Sequence, residues 1–259
     1  EGILISIDDG YLDTYKEVSE LSDVLQIPII HFLCPGFYMD ETVRPWWYEL
    51  ELFINDYDFN KKNFQSLVHT HCKKMNHINI LNLDNKFLLY NTIREILVAL
   101  PYDIREIILS EYAASIGIKR IDYRNIFMNQ IDIIKAHKTL FDYGSHTYSH
   151  IALGVEDILI AEEDIKKADK IFQDSLGYEV KSFAYPYGIE SNNDKFIKML
   201  RNRYEQIYTT RYGFIDKTTN SHSIPRISIS ESDGIIGFIN KISGSYSILY
   251  RIYYAFKRA

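Results

Sequence analysis

The sequence predicts an α/β fold of parallel strands alternating with helices, arranged as a barrel or an open doubly wound sheet. Three observations lead there. Two continuous apolar runs, GILISID at 2–8 and IPIIHFLC at 27–34, have the pattern of strands buried on both faces of a parallel sheet. The stretch between them, 14–26, reads as a helix and completes a βαβ unit. The same alternation returns after residue 129, and no segment repeats or has low complexity. With 259 residues and 46% hydrophobic content, the chain can bury a full core.

Along the chain the elements follow in order. From Pro35 to about Asn125 the sequence turns aromatic (RPWWYELELFI, 44–54) and then amphipathic (KFLLYNTIREILVALP, 86–101), with little strand signal, which predicts a helical insertion over about 37–125. Residues 129–138 read as a helix and LFDYGSH (140–146) as a strand running into a loop. In 155–177, Ile158, Ala161, Ile165, Ala168 and Phe172 keep helical spacing, and Gly177 suits the left-handed cap. VKSFAYPYG (180–188) reads as strand then turn, a helix falls near 192–202, and QIYTT and SIPRISIS read as short strands. The tail carries an apolar stripe at Ile248, Leu249, Ile252, Tyr253 and Phe256. That is the form of a closing helix over about 245–258, and equally of an interfacial helix that would touch a membrane peripherally. The chain is thus expected to be one domain over 1–259.

A net charge of −6 gives no basic footprint for nucleic acid, so none is expected as a partner. Two cysteines, Cys34 and Cys72, make no disulfide framework and favour a reducing compartment. No apolar run reaches the length of a membrane span and no signal-peptide pattern is visible, so the expected location is cytoplasmic, with the N-terminus open to extension.

Two stretches point to chemistry. ISIDDGY ends an apolar strand in adjacent carboxylates, Asp8 and Asp9, at the end where α/β folds do their chemistry. In GSHTYSH, His146 and His150 stand at i and i+4, a separation that lets both rings reach one metal ion from a helix or turn. Two imidazoles and Asp9 make a three-ligand set with an open position, leaving Asp8 free as a base. The plainer alternative is that Asp8 and Asp9 cap the helix after Gly10. His69, His71 and Cys72, with His77 nearby, lack a fourth ligand at metal spacing and read as a partly exposed helix. His31 reads as a core or pocket histidine, and of Trp46 and Trp47 only one can face a ligand if the segment is helical.

These motifs in this order, ISIDDGY, GSHTYSHIAL, FAYPYG and IPRISI, resemble the polysaccharide deacetylases of the NodB-homology group of carbohydrate esterases. The resemblance implies a distorted (β/α) barrel and metal-dependent removal of acetyl groups from a sugar of a surface polysaccharide or its precursor, N-acetyl above O-acetyl. It implies Asp8 as catalytic base and Asp9, His146 and His150 as ligands of a divalent metal, commonly zinc. A backbone N–H in the turn of Tyr185, Pro186, Tyr187 and Gly188 would face the oxyanion, and the two tyrosines would offer faces to the sugar. Members often carry an arginine where this chain has Ala184; Arg226 is the substitute to orient Asp8. His222, the one histidine after His150, is the candidate general acid. The acetylated saccharide is the expected partner, lipid-linked if the tail meets a membrane. The alternatives are a glycan-binding protein without catalysis and a hydrolase of a non-sugar amide.

Overall fold

A computed structural model describes residues 3–136 and 141–245. Five strands, all parallel and in sequential order, make one sheet that curls as a half-barrel. They are β1 (Ile5–Asp9), β2 (Ile29–Leu33), β3 (Phe141–Ser145), β4 (Ser182–Ala184) and β5 (Gln206–Tyr208). Strand β2 is buried along its whole length, as its apolar run requires. β1 is not. It forms one edge of the sheet, and Ile3 is 77% exposed with Leu4 and Ile5 open beside it, because among the described residues no strand pairs with its outer side. An apolar run alone cannot separate a central strand from an edge strand of an unclosed barrel.

Helix α1 (Leu12–Leu25) connects β1 to β2. The insertion follows: α2 (Pro35–Met39), α3 (Trp46–Asn55), α4 (Lys61–His71), α5 (Lys86–Val98) and α6 (Tyr102–Ser115). Asn60 and Asn85 cap α4 and α5 by accepting from the amides of Asn63 and Leu88. The stretch 86–101 is two elements' worth of signal: α5 stops at Val98, and Pro101, whose ring disfavours helix in the residue before it, stands at the start of α6. These helices bury their own core of Trp46, Leu50, Phe53, Phe64, Ile93, Leu97, Ile108 and Tyr112. Glu156, in the loop beyond His150, accepts from the Tyr102 amide at the positive end of α6 and so ties the insertion to the barrel.

Helix α7 (Gln130–Ala136) precedes β3, and α8 (Ile158–Leu176) lays Ala161, Ile165, Ala168 and Phe172 on the sheet before ending at Gly177 in the left-handed conformation. Helix α9 (Asp194–Arg203) leads into β5. SIPRISIS is not a strand: Ile224 makes a single bridge to Tyr208, and the chain then runs irregularly to α10 (Gly234–Ile242), a helix the sequence reading did not anticipate. Pro225 cannot donate to a ladder, which explains the interruption. The expected closing helix at 245–258 lies outside the described residues but for its first. No helix among the described residues is long and apolar enough to cross a membrane.

Candidate functional site

The strands' C-terminal ends collect the residues singled out above. Asp8 and Asp9 end β1 opposite Phe32 and Leu33 of β2. There the backbone reverses: Asp9 takes φ 72°, Gly10 takes φ 84°, and the Gly10 amide donates to the Asp8 carbonyl at 3.0 Å. A Cβ on Gly10 would stand 2.6 Å from the Leu33 side chain, so the glycine of DDG answers a steric need as well as a conformational one. Helix α1 has Tyr11 at its cap position without any side-chain cap bond, so Asp8 and Asp9 do not serve as caps.

After β3 the chain makes a turn rather than a helix, with Thr147 at φ 67° and His150 at φ 54°. The i, i+4 histidines therefore meet through that turn. Asp164 of α8 holds it, accepting from the amides of Tyr148 at 2.6 Å and Ser149 at 3.2 Å. Burial pushes the Asp164 carboxyl up, against the pull of these amides. Asp164→Ala would leave both amides unmatched and is expected to destabilise the fold by about 2–3 kcal/mol in denaturant unfolding, with Asp164→Asn recovering part through its remaining carbonyl.

His146 and His150 point their Nε2 atoms at Asp9, standing 3.7 and 3.2 Å from its Oδ1. The three ligand atoms lie within 4.8 Å of one another, the one such cluster among the described residues. His146 Nδ1 donates to the Ala184 carbonyl at 2.7 Å, which leaves Nε2 as the bare, metal-facing nitrogen. Burial lowers the His146 pKa, in the direction of the neutral ring that a metal takes. For Asp9, burial pushes upward but His150 and His146 outweigh it and hold the carboxyl below its usual value. Asp9 Oδ1 is buried without a well-formed hydrogen bond. One carboxylate and two imidazoles around an unsatisfied oxygen fit a divalent cation.

Asp8 lies beside this cluster, its Oδ2 3.9 Å from His146 Nε2. Arg226 grips it with both arms: Nη1 to Oδ1 at 2.6 Å and Nη2 to Oδ2 at 2.9 Å. The guanidinium is itself fixed, donating from Nε to the Thr209 carbonyl and lying 5.6 Å over the Phe32 ring.

The 185–188 turn borders the cluster. Tyr187 adopts φ 57° and Gly188 φ 69°, where a Cβ would collide with the Thr210 side chain. Pro186 is buried. The Tyr185 amide donates to Tyr208, the Gly188 amide donates to Tyr185, and Pro186 has none, which leaves the Tyr187 N–H as the turn's candidate donor. Of the two tyrosines, Tyr185 is buried and Tyr187 half-buried. Tyr185 is buried edge-on against Phe183, and Tyr187 packs between Trp46 and the His150 ring.

The structure does not bring His222 to the site. Ser221 and Ile224 both bond Ile207 of β5, so His222 lies in a turn at that level of the strand, whereas Arg226 lies further along and reaches Asp8. His69 bonds the Ile78 carbonyl and His71 pairs with Glu111, so these histidines are engaged separately and hold no metal set. His31 is fully buried on β2, and burial lowers its pKa to about 4. Trp46 is core, whereas Trp47 faces His150. The sequence reading missed Asp164 and Tyr11. Asp164 had a signal: an acid three residues after Ala161 and next to Ile165, at the margin of the apolar stripe.

The model of the polysaccharide deacetylase family matches residues 124–204. No curated protein matches the chain. Among solved structures, a de-N-acetylase from Aggregatibacter actinomycetemcomitans is 12% identical, with 92% of this chain and 74% of that chain covered, at a TM-score of 0.54. The deacetylase PplD of Streptococcus pyogenes, solved in complex with acetate, is 11% identical, with 91% and 68% covered, at a TM-score of 0.52. These likenesses are of fold. The polysaccharide deacetylase model thus covers the segment from α7 through α9, and the half-barrel fold is shared with these two deacetylases.

Proposed function

We propose that this protein is a metal-dependent deacetylase that hydrolyses an acetyl group, N-linked above O-linked, from a sugar of a surface polysaccharide or its precursor. The observation that carries the reading is the convergence of Asp9, His146 and His150 beside an Asp8 held by both arms of Arg226. Asp9, His146 and His150 would hold a divalent cation, zinc in our reading. Bound there, it supplies Lewis-acid polarisation of a carbonyl and acidifies a water near neutral pH. Asp8 takes the proton of the attacking water, its carboxylate aimed by Arg226. The Tyr187 N–H stabilises the charge that grows on the acetyl oxygen. With His222 away from the site, Asp8 is also the group at hand to return the proton to the leaving nitrogen.

Elemental analysis and acetate release from acetylated amino-sugar oligomers test this together. One divalent ion per chain is expected, with activity abolished by a chelator and restored by zinc. Protein that holds no metal and resists reconstitution would sink the reading.

A further inference from the structure

His146 and His150 serve one cluster, yet only one ring is fixed by a hydrogen bond. His146 Nδ1 donates to Ala184, whereas His150 Nδ1 is buried with no hydrogen-bond partner among the described residues. Metal-ligating histidines are ordinarily oriented through the nitrogen that does not face the metal. His150 lacks that device. What surrounds its ring instead is aromatic: Tyr187 at 4.4 Å between centroids and 80° between planes, Trp47 at 5.1 Å and 61°, and Phe37 at 5.8 Å.

Two of these rings are tethered, and both tethers come from consecutive residues of the insertion. Trp46 Nε1 donates to the Tyr187 hydroxyl at 2.8 Å. Trp47 Nε1 donates to the Tyr11 hydroxyl at 2.9 Å. The buried Arg105 guanidinium of α6 lies 5.3 Å over the Trp46 ring and holds it from behind. One tryptophan thus reaches the turn after β4 and the other the turn after β1, with His150 between Tyr187 and Trp47.

We propose that Trp46 and Trp47 are positioning residues for His150, and that through them the helical insertion sets the affinity of the metal centre. The inference rests on the metal reading above. His146 is aimed by the barrel's own backbone and His150 by the insertion's side chains, so one ligand is intrinsic to the sheet and the other is supplied with its support.

The test uses the full chain stripped of metal, titrated with zinc against a chromogenic chelator and separately loaded with Co²⁺ for its visible absorption spectrum. Trp46→Phe and Trp47→Phe keep a ring and remove the N–H. Each is expected to raise the zinc dissociation constant about tenfold or more and to shift the Co²⁺ spectrum. Phe53→Leu, in the same insertion core against Tyr112, is expected to lower the unfolding midpoint with zinc affinity and spectrum unchanged. Tryptophan variants that bind zinc as the parent does, and lose stability as Phe53→Leu does, would overturn the proposal. Should Trp46→Phe fail to fold, Tyr187→Phe removes only its acceptor hydroxyl and carries the same expectation, as Tyr11→Phe does for Trp47. A parent protein that binds neither ion would overturn the metal reading and this inference with it; tight parental binding shared by every variant overturns this inference alone.

Discussion

Asp8→Asn is expected to lower kcat for acetate release by about 10²–10⁴ while leaving zinc bound, because it removes a base and no metal ligand. Asparagine matches the carboxylate in shape and keeps one oxygen for Arg226, so the site's geometry survives. What goes is the capacity to take a proton. The Asp8–Arg226 pair is partly open to solvent, with 32% and 14% of the two side chains exposed, so its loss should cost only about 1 kcal/mol of stability. Steady-state kinetics beside metal analysis on the same sample separate the two effects. Near-parental kcat in Asp8→Asn would remove Asp8 from the role of base.

The second large effect separates the two histidines. Both His146→Ala and His150→Ala should release the metal and abolish acetate release, since a single remaining imidazole and Asp9 make a poor site. They should differ in stability. His146→Ala strips the buried Ala184 carbonyl of its donor and is expected to cost about 1–3 kcal/mol in metal-free protein. His150→Ala takes the partner at 3.2 Å from Asp9 but strips no buried carbonyl of its donor, and should cost that protein less. Denaturant unfolding of the apo forms, compared with apo parent, reads the difference. Equal losses in the two variants would refute the distinct roles assigned to them.

Much of this was legible in the sequence. Strand-end acids and a histidine pair are marked by composition and position, and Arg226 stood out once Ala184 occupied the usual arginine position. Arg226 sits 218 residues from Asp8 in sequence, and the structure closes that distance. Other features left no trace in residue type. Among the described residues, four of the five non-glycine positions with positive φ are Asp9, Thr147, His150 and Tyr187, all in the first three of the four motifs. Backbone strain of that kind depends on surroundings that over-determine it, which a one-dimensional pattern does not display. His222 failed for a related reason: being last in sequence says nothing about which end of a strand a residue flanks. Tyr185 failed because strand alternation carries through it, which puts its ring beside Phe183 on the buried side.

β3 and β4 meet in register at Ser145 and Phe183, and just beyond that pair the His146 ring spans from one strand end to the Ala184 carbonyl of the other. The imidazole is therefore a stitch in the sheet as well as a ligand. Loss of Asp8 or His150 comes at little structural cost, whereas loss of His146 opens a seam between β3 and β4. Among relatives that have abandoned catalysis, His146 should be the last of the site residues to disappear, and its persistence alone would be poor evidence that an enzyme still works.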